Sequence, residues 1–128
     1  MTPLTREWVE KAEADYATAV RELRARTHPN YDAACFHAQQ CAEKYLKACL
    51  QEAGIASGKT HDLVALIDLV APGSALKALR PTLQALTAYA VTFRYPGCSA
   101  DKQLAKEALR DCRQVREPAR HLLGLENG

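Results

Sequence analysis

Helix-breaking residues divide the sequence into segments whose apolar residues recur at helical spacing. The breaks fall at residues 28–30, 54–58, 71–73 and 95–97, where proline, glycine and asparagine cluster. Between them apolar residues return every three or four positions, and no segment alternates polar and apolar residues as a half-buried strand does. The sequence therefore predicts an all-α fold, an up-and-down antiparallel bundle of four to five helices without strands.

The first two helices have clear boundary signals. The first is expected from about Thr2 to Arg26, because Pro3 suits the first helical position. The second is expected to begin after Asn30, a good N-cap, and to end at Gly54, since glycine readily takes the left-handed conformation that closes a helix. This second helix is the longest and is expected to occupy the centre of the bundle.

The remaining helices are shorter or interrupted by proline. Thr60 is the expected N-cap of a short third helix, and a fourth element spans about residues 74–93, split by Pro81. Ser99 is the expected N-cap of the last helix, which Pro118 is expected to kink. The apolar stripe of that helix is predicted to include Leu104, Ala108, Val115, Ala119 and Leu122.

Length and composition favour one intracellular domain. The 128 residues predict a single domain over 1–128 with a core from about 5 to 123. No run approaches the roughly 18 apolar residues of a membrane-crossing helix, and the start carries no apolar leader, so we expect a cytoplasmic protein with no membrane contact. Five cysteines, an odd number, favour buried thiols in a reducing compartment over a disulfide framework.

The second helix carries an unusual set of polar side chains. His37, Gln40, Lys44 and Lys47, called here the polar stripe, are three or four residues apart and so lie on one face. The opposite face carries small and apolar residues, so the polar stripe is expected to face water, a groove or a partner chain. A solvated face would explain the spacing, but it would not explain the choice of a histidine.

Several motifs in the same order resemble those of one known family. The run CFHAQQCAEKYLKACL, preceded by EWVEKAEADYATA and followed by KTHDLVAL and RYPG, resembles the HEPN domain family. The likeness extends from Trp8 to the last helix. It implies a helical bundle that forms homodimers. Such proteins are often made together with a minimal nucleotidyltransferase, and many of these pairs behave as toxin and antitoxin. Members of the family either cleave RNA without a metal or bind nucleotides or the nucleotidyltransferase.

The motif of the RNA-cleaving members is incomplete in this chain. Those members carry an arginine, four to six further residues and then a histidine, near the start of the last long helix. The matching arginine is Arg94, but residues 99–101, where the histidine should fall, are serine, alanine and aspartate. The sequence therefore argues against cleavage, unless His37 or His61 approaches Arg94 in space.

Two further patterns bear on ligand binding. His37 and Cys41 are one helical turn apart, but without a CxxC pair or a second ligand cluster no metal or other cofactor is expected. The last helix carries basic residues largely on one side, which is typical of a solvated face and would also suit a phosphate backbone or an acidic partner. These are Lys102, Lys106, Arg110, Arg113 and Arg120.

The functional prediction follows from the polar stripe together with the resemblance. We expect a HEPN-domain protein that binds a nucleotide, docks a minimal nucleotidyltransferase in a toxin-antitoxin-like pair, or does both. The alternatives are a metal-independent RNase toxin and a dimeric helical scaffold without a ligand. The candidate nucleotide-binding or partner-binding residues are His37, Gln40, Lys44, Lys47, His61 and Arg94.

Overall fold

The computed structural model describes residues 1–93 and 95–125, and this part of the chain is all-helical, as predicted. It contains five α-helices and one short 3₁₀ helix, with no strand among the described residues. In chain order these are α1 (Pro3–Arg24), α2 (Tyr31–Glu52), α3 (Leu63–Leu69), the 3₁₀ helix (Ala75–Leu79), α4 (Arg80–Thr92) and α5 (Lys102–Leu122).

The predicted start of α1 and both predicted boundaries of α2 are confirmed, because each rests on a local signal, whereas α1 ends at Arg24, two residues before its predicted end. The Thr2 side chain accepts a hydrogen bond from the Thr5 amide at 3.1 Å, and proline follows it at the first helical position. The Asn30 side chain accepts the Ala33 amide at 2.9 Å. After α2, Gly54 takes a left-handed conformation with φ +74°, so the chain can turn away without strain.

The predicted starts of α3 and α5 are wrong by two residues each. Asp62 caps α3, since its carboxylate accepts the Val64 amide at 3.0 Å, whereas Thr60 bonds only to the amide of Asp62. Asp101 caps α5 by accepting the Leu104 amide at 2.8 Å, so Ser99 lies outside the helix. In both places an aspartate lies two residues after the predicted cap, and its charge is further favoured by the helix dipole.

Proline positions account for the division of the fourth element. Pro81 lies in the first turn of α4, where its missing N–H breaks no helical hydrogen bond. The chain before it forms the 3₁₀ helix, which is capped by the side chain of Ser74. The predicted split is therefore confirmed, and it falls between the two helices. Pro118 is accommodated within α5, which continues to Leu122.

The core is built around α2, which packs against α1, α3, α4 and α5. Small residues on α2 and α5 let these helices approach closely, and larger side chains such as Tyr45 and Leu46 fill the remaining space. The predicted inward stripe of α5 is confirmed for its central residues, but Leu122 is 53% exposed at the end of the helix. The fully buried small residues of α2 and α5 are Cys35, Ala38, Cys41, Ala42, Ala48, Ala105, Ala108, Cys112 and Ala119.

No helix in the described part of the chain is long and apolar enough to span a membrane.

Candidate functional site

The polar stripe of α2 is not a solvated face, because carboxylates from α1 and from α2 itself meet its basic groups. The side chain of Lys47 is only 5% exposed, and those of His37 and Lys44 are 29% and 22% exposed. The stripe therefore lies along a half-covered edge of the bundle, and its charges are compensated within the chain.

Asp15 of α1 joins two members of the polar stripe. Its Oδ1 lies 2.7 Å from Nδ1 of His37, and its Oδ2 accepts a hydrogen bond from the ammonium of Lys44. The two basic residues are seven positions apart, which is close to two helical turns, so one carboxylate from a neighbouring helix can lie between them. Phe36 meets the His37 ring edge-on, with ring centroids 5.2 Å apart, and further restricts its orientation.

Glu43 forms a second junction, between α2 and the loop before α3. Its carboxylate is 3% exposed and lies 3.1 Å from Nδ1 of His61 and 3.5 Å from Nζ of Lys47. The ammonium of Lys47 also lies 5.3 Å from the centroid of the Trp8 ring on α1. His61 itself is 78% exposed, so a surface imidazole is held by a buried acid. With Thr60 as the expected cap, His61 would open α3, but in the structure it precedes the cap Asp62 and bonds to Glu43 of α2.

The other candidate residues are less closely connected to these junctions. Gln40 donates a hydrogen bond to the side chain of Gln39 at 2.8 Å and bonds to neither carboxylate. Arg94 lies outside the described residues. The structure therefore groups His37 with Lys44 through Asp15, and His61 with Lys47 through Glu43.

Neither Asp15 nor Glu43 is among the candidate residues chosen from the sequence. A signal for Asp15 was available, because it shares the buried side of α1 with Ala12 and Ala19 at spacings of three and four. A carboxylate in an otherwise apolar stripe predicts a partner on the facing helix. The sequence does not show which basic residue that partner is.

A third polar cluster, also missed, connects α1, α2 and α5 and contains none of the predicted site residues. Glu13 accepts two hydrogen bonds from Arg116, at 2.7 and 2.8 Å, and a third from the hydroxyl of Tyr45. Arg120 donates to that hydroxyl at 3.0 Å, while the Arg116 guanidinium lies 4.2 Å from the centroid of the Tyr16 ring. We call these five residues the α1–α5 clamp.

The ionisation of the clamp follows from burial and hydrogen bonding. Burial raises the pKa of Glu13, but hydrogen bonds from Arg116 and Tyr45 outweigh it and leave the pKa below its ordinary value. Burial raises the pKa of Tyr45, and the hydrogen bond to Glu13 raises it further. At pH 7 the clamp therefore combines the neutral phenol of Tyr45 and the ionised carboxylate of Glu13 with two guanidinium groups. This combination suits a structural role.

No cluster of three or more histidine, cysteine or acidic side chains suited to a metal occurs among the described residues. Cys41, one turn from His37, is fully buried, and burial raises the pKa of its thiol well above the ordinary value. Its sulfur therefore favours the protonated state, which does not coordinate metals well.

Comparison with known families gives the same result as the motifs in the sequence. The HEPN domain model matches residues 5–122, nearly the whole chain. The chain belongs to the HEPN family. Among curated proteins, none matches this HEPN domain significantly.

Two solved structures share the fold of this HEPN domain. TT1696 from Thermus thermophilus superimposes with a TM-score of 0.81 at 24% identity, covering 94% of this chain and 99% of that one. ST0689, described as an archaeal HEPN homologue, gives a TM-score of 0.65 at 24% identity and covers 94% of this chain and 95% of that one. At this identity the comparison establishes the fold, and the helical bundle implied by the resemblance is confirmed.

Proposed function

We propose that this HEPN-domain protein binds a nucleotide along the polar stripe and acts as the homodimeric partner of a minimal nucleotidyltransferase in a toxin-antitoxin-like pair. The observation that supports nucleotide binding most directly is the pair of carboxylate-held histidines. Asp15 and Glu43 each engage the Nδ1 atom of an imidazole; His37 belongs to α2, and His61 lies against Glu43 of α2 from the loop before α3.

The carboxylates determine which ring nitrogen can meet a ligand. A carboxylate only accepts hydrogen bonds, so the neutral rings of His37 and His61 carry their proton on Nδ1 and present Nε2 as an acceptor. Such an acceptor suits a ribose hydroxyl or the exocyclic amine of a base. When protonated, the same atom donates to a phosphate oxygen. Lys44, whose ammonium is paired with Asp15, places a further hydrogen-bond donor about two turns along α2 from His37.

Lys47 and Gln40 have different roles in the proposed site. Lys47 is too buried to be a ligand contact and serves instead to hold Glu43 and Trp8 in position. Gln40 lies between His37 and Lys44 on the same face, where its amide can meet a sugar or base. Membership of the HEPN family supports the nucleotidyltransferase partner and the homodimer.

Nucleotide titration tests the proposal. Trp8 is the single tryptophan and lies beside Lys47, so its fluorescence reports on this edge of the bundle while ATP, GTP or UTP is added. We expect saturable binding that weakens at least about tenfold when His37→Ala and His61→Ala are combined, as loss of two polar contacts implies. Calorimetry on the same samples checks the fluorescence result.

A matched control keeps the number of histidines removed the same. His28→Asn with His121→Ala changes two exposed imidazoles elsewhere, and asparagine tolerates the left-handed φ of 49° at position 28. This variant should bind as the wild type does. Equal losses in both double variants, or no saturable binding by the wild type, would contradict nucleotide binding at the polar stripe. Light scattering of the purified protein tests the homodimer separately.

RNA cleavage is the second candidate, and one observation favours it. Asp15 holds His37 in the arrangement that a general base requires, with the second ring nitrogen available to take a proton from a ribose hydroxyl. The test is cleavage of an RNA oligonucleotide in EDTA by the wild type, His37→Ala and Arg94→Ala at matched folded concentration. Cleavage that is lost in either folded variant would establish this activity in place of the non-catalytic binding role.

A further inference from the structure

A groove with a local excess of positive charge lies between the end of α1 and the N-terminal half of α5. Five basic side chains line it, and we call it the cationic groove: Arg24, Arg26, Lys102, Lys106 and Arg113. It is open to solvent, with a volume of about 790 Å³, in the range of sites that hold sizeable ligands. It shares no residue with the polar stripe, so a role for this groove is independent of the proposed function.

The cations of the groove lack counter-charges within the described residues. No aspartate or glutamate lines the groove, and the exposed side chains of Arg24, Arg26, Lys102 and Lys106 form no ion pair or hydrogen bond in the described part of the chain. Acids that adjoin the groove in sequence have partners of their own: Asp101 caps α5 by accepting the Leu104 amide, Asp32 accepts the Ala100 amide, and Glu107 accepts a hydrogen bond from Gln103.

This charge is a local feature and does not reflect the protein as a whole. The formal net charge is only +2, so the five cations exceed it and the rest of the chain is net negative. A charge confined to one groove attracts a complementary segment to that place and disfavours binding elsewhere. We therefore expect a negatively charged ligand to bind at this groove, with an affinity that depends on salt.

The arrangement of the charges indicates an extended ligand. Lys102, Lys106 and Arg113 are separated by four and seven residues, so they lie on one face of α5 over about 16 Å at 1.5 Å per residue. Arg24 and Arg26 line the other side. Arg113 is held in place, because its Nε donates to the hydroxyl of Tyr16 at 3.0 Å. A single small anion would contact only some of these cations.

Between the cations the groove is apolar. Leu109 is 2% exposed at its floor, and Leu23, Pro29 and Tyr31 are half-buried along it. Apolar side chains of a peptide would be covered here, whereas a nucleic acid strand usually needs several aromatic platforms and Tyr31 is the one aromatic residue of the lining. The isoelectric point of about 8.3 is also below that of typical nucleic-acid-binding domains.

We propose that the cationic groove binds an acidic peptide segment of another protein, in which carboxylates alternate with apolar side chains. The carboxylates pair with the cations on the two walls, and the apolar side chains pack on Leu23 and Leu109. The binding weakens as salt rises, because most of the paired charges lie at the exposed rim.

Fluorescence anisotropy with defined probes tests this inference on the full chain. The probes are a labelled dodecapeptide of glutamate and aspartate with leucine at every third position, the same peptide with glutamine and asparagine in place of the acids, and oligouridylate of equal length. At low salt the acidic peptide should bind and the neutral peptide should not. Lys102→Glu combined with Lys106→Glu should weaken the acidic peptide about tenfold.

Lys11→Glu combined with Lys59→Glu is the matched control, since it makes the same change in net charge at two exposed sites outside the groove. It should leave affinity within about twofold. The inference is wrong if neither peptide or both peptides bind, or if the control loses as much affinity as the groove variant. Tighter binding of oligouridylate through Lys102 and Lys106 would assign the groove to nucleic acid instead.

Discussion

Glu13→Gln is the substitution that most directly tests the energetic role of the α1–α5 clamp. The carboxylate of Glu13 receives two hydrogen bonds from Arg116 and one from Tyr45, and so connects three helices. Glutamine keeps the size of the side chain but removes its charge. The loss of stability therefore reports on the charge itself and much less on packing.

The geometry sets the magnitude. Removing one partner of a fully buried ion pair costs about 3–5 kcal/mol, whereas an exposed pair contributes about 0–1 kcal/mol. Glu13 is 34% exposed and Arg116 is 10% exposed, so this pair lies between the two limits. We expect a loss of about 2 kcal/mol in the free energy of unfolding, or a fall in Tm of about 6–10 °C for a domain of this size.

Urea unfolding followed by circular dichroism measures the change. The control is Glu10→Gln, which makes the same chemical change at an exposed position of α1 and should alter stability by less than about 0.5 kcal/mol. Combining Glu13→Gln with Arg116→Gln in a double-mutant cycle isolates the coupling between the two residues. Equal stabilities of the Glu13→Gln and Glu10→Gln proteins would refute the reasoning.

The pH dependence gives a second measurement of the same interaction. Hydrogen bonds from Arg116 and Tyr45 outweigh the effect of burial and hold the pKa of Glu13 below its ordinary value of 4.5. Its stabilisation is therefore complete above pH 4.5 and is lost as the pH falls through the lower pKa of the folded state. The Glu13→Gln protein should lose less stability than the wild type over that interval. Parallel pH profiles would contradict an ionised Glu13 as the stabilising group.

Three further predictions concern the site, the thiols and the core. Asp15→Asn, which removes the charge between two basic residues of α2, should lower the free energy of unfolding in urea by about 1–2 kcal/mol; no change would show that the junction is energetically neutral. With Ellman's reagent, exposed Cys98 should react first and Cys35, whose pKa burial raises to about 11, only as the protein unfolds; comparable rates would contradict the packing. Leu46→Ala at a fully buried position should cost about 3 kcal/mol by urea unfolding, while Leu122→Ala at a 53% exposed position should cost far less, and equal losses would refute this assignment of the core.

The boundaries predicted correctly from the sequence are those at which the expected capping residue is the one used. Thr2 accepts the Thr5 amide, Asn30 accepts the Ala33 amide, and Gly54 supplies the conformation that ends α2. The predicted starts of α3 and α5 are wrong because an aspartate two residues after the expected cap accepts the helix amides instead. Thr60 and Asp62 both suit a helix start, and the choice depends on which register buries the apolar residues of the helix against α2.

The site is only partly predictable, for a different physical reason. The spacing of the polar stripe places His37 and Lys44 on one face of α2, but their partner Asp15 belongs to another helix. The meeting of the three depends on how far α1 is shifted and rotated against α2. That relation is set by packing of small side chains such as Ala12 and Ala38.

Local sequence patterns are sufficient for the helical class, the central place of α2 and the HEPN motifs, because periodicity, caps and breakers act over a few neighbouring residues. Helix packing, in contrast, brings Asp15 to the polar stripe and His61 to Glu43, and it gathers five cations of α1, the loop after α1 and α5 into one groove. Those groups are far apart in the chain, and their distances follow from the offset and rotation of packed helices, which no local pattern encodes.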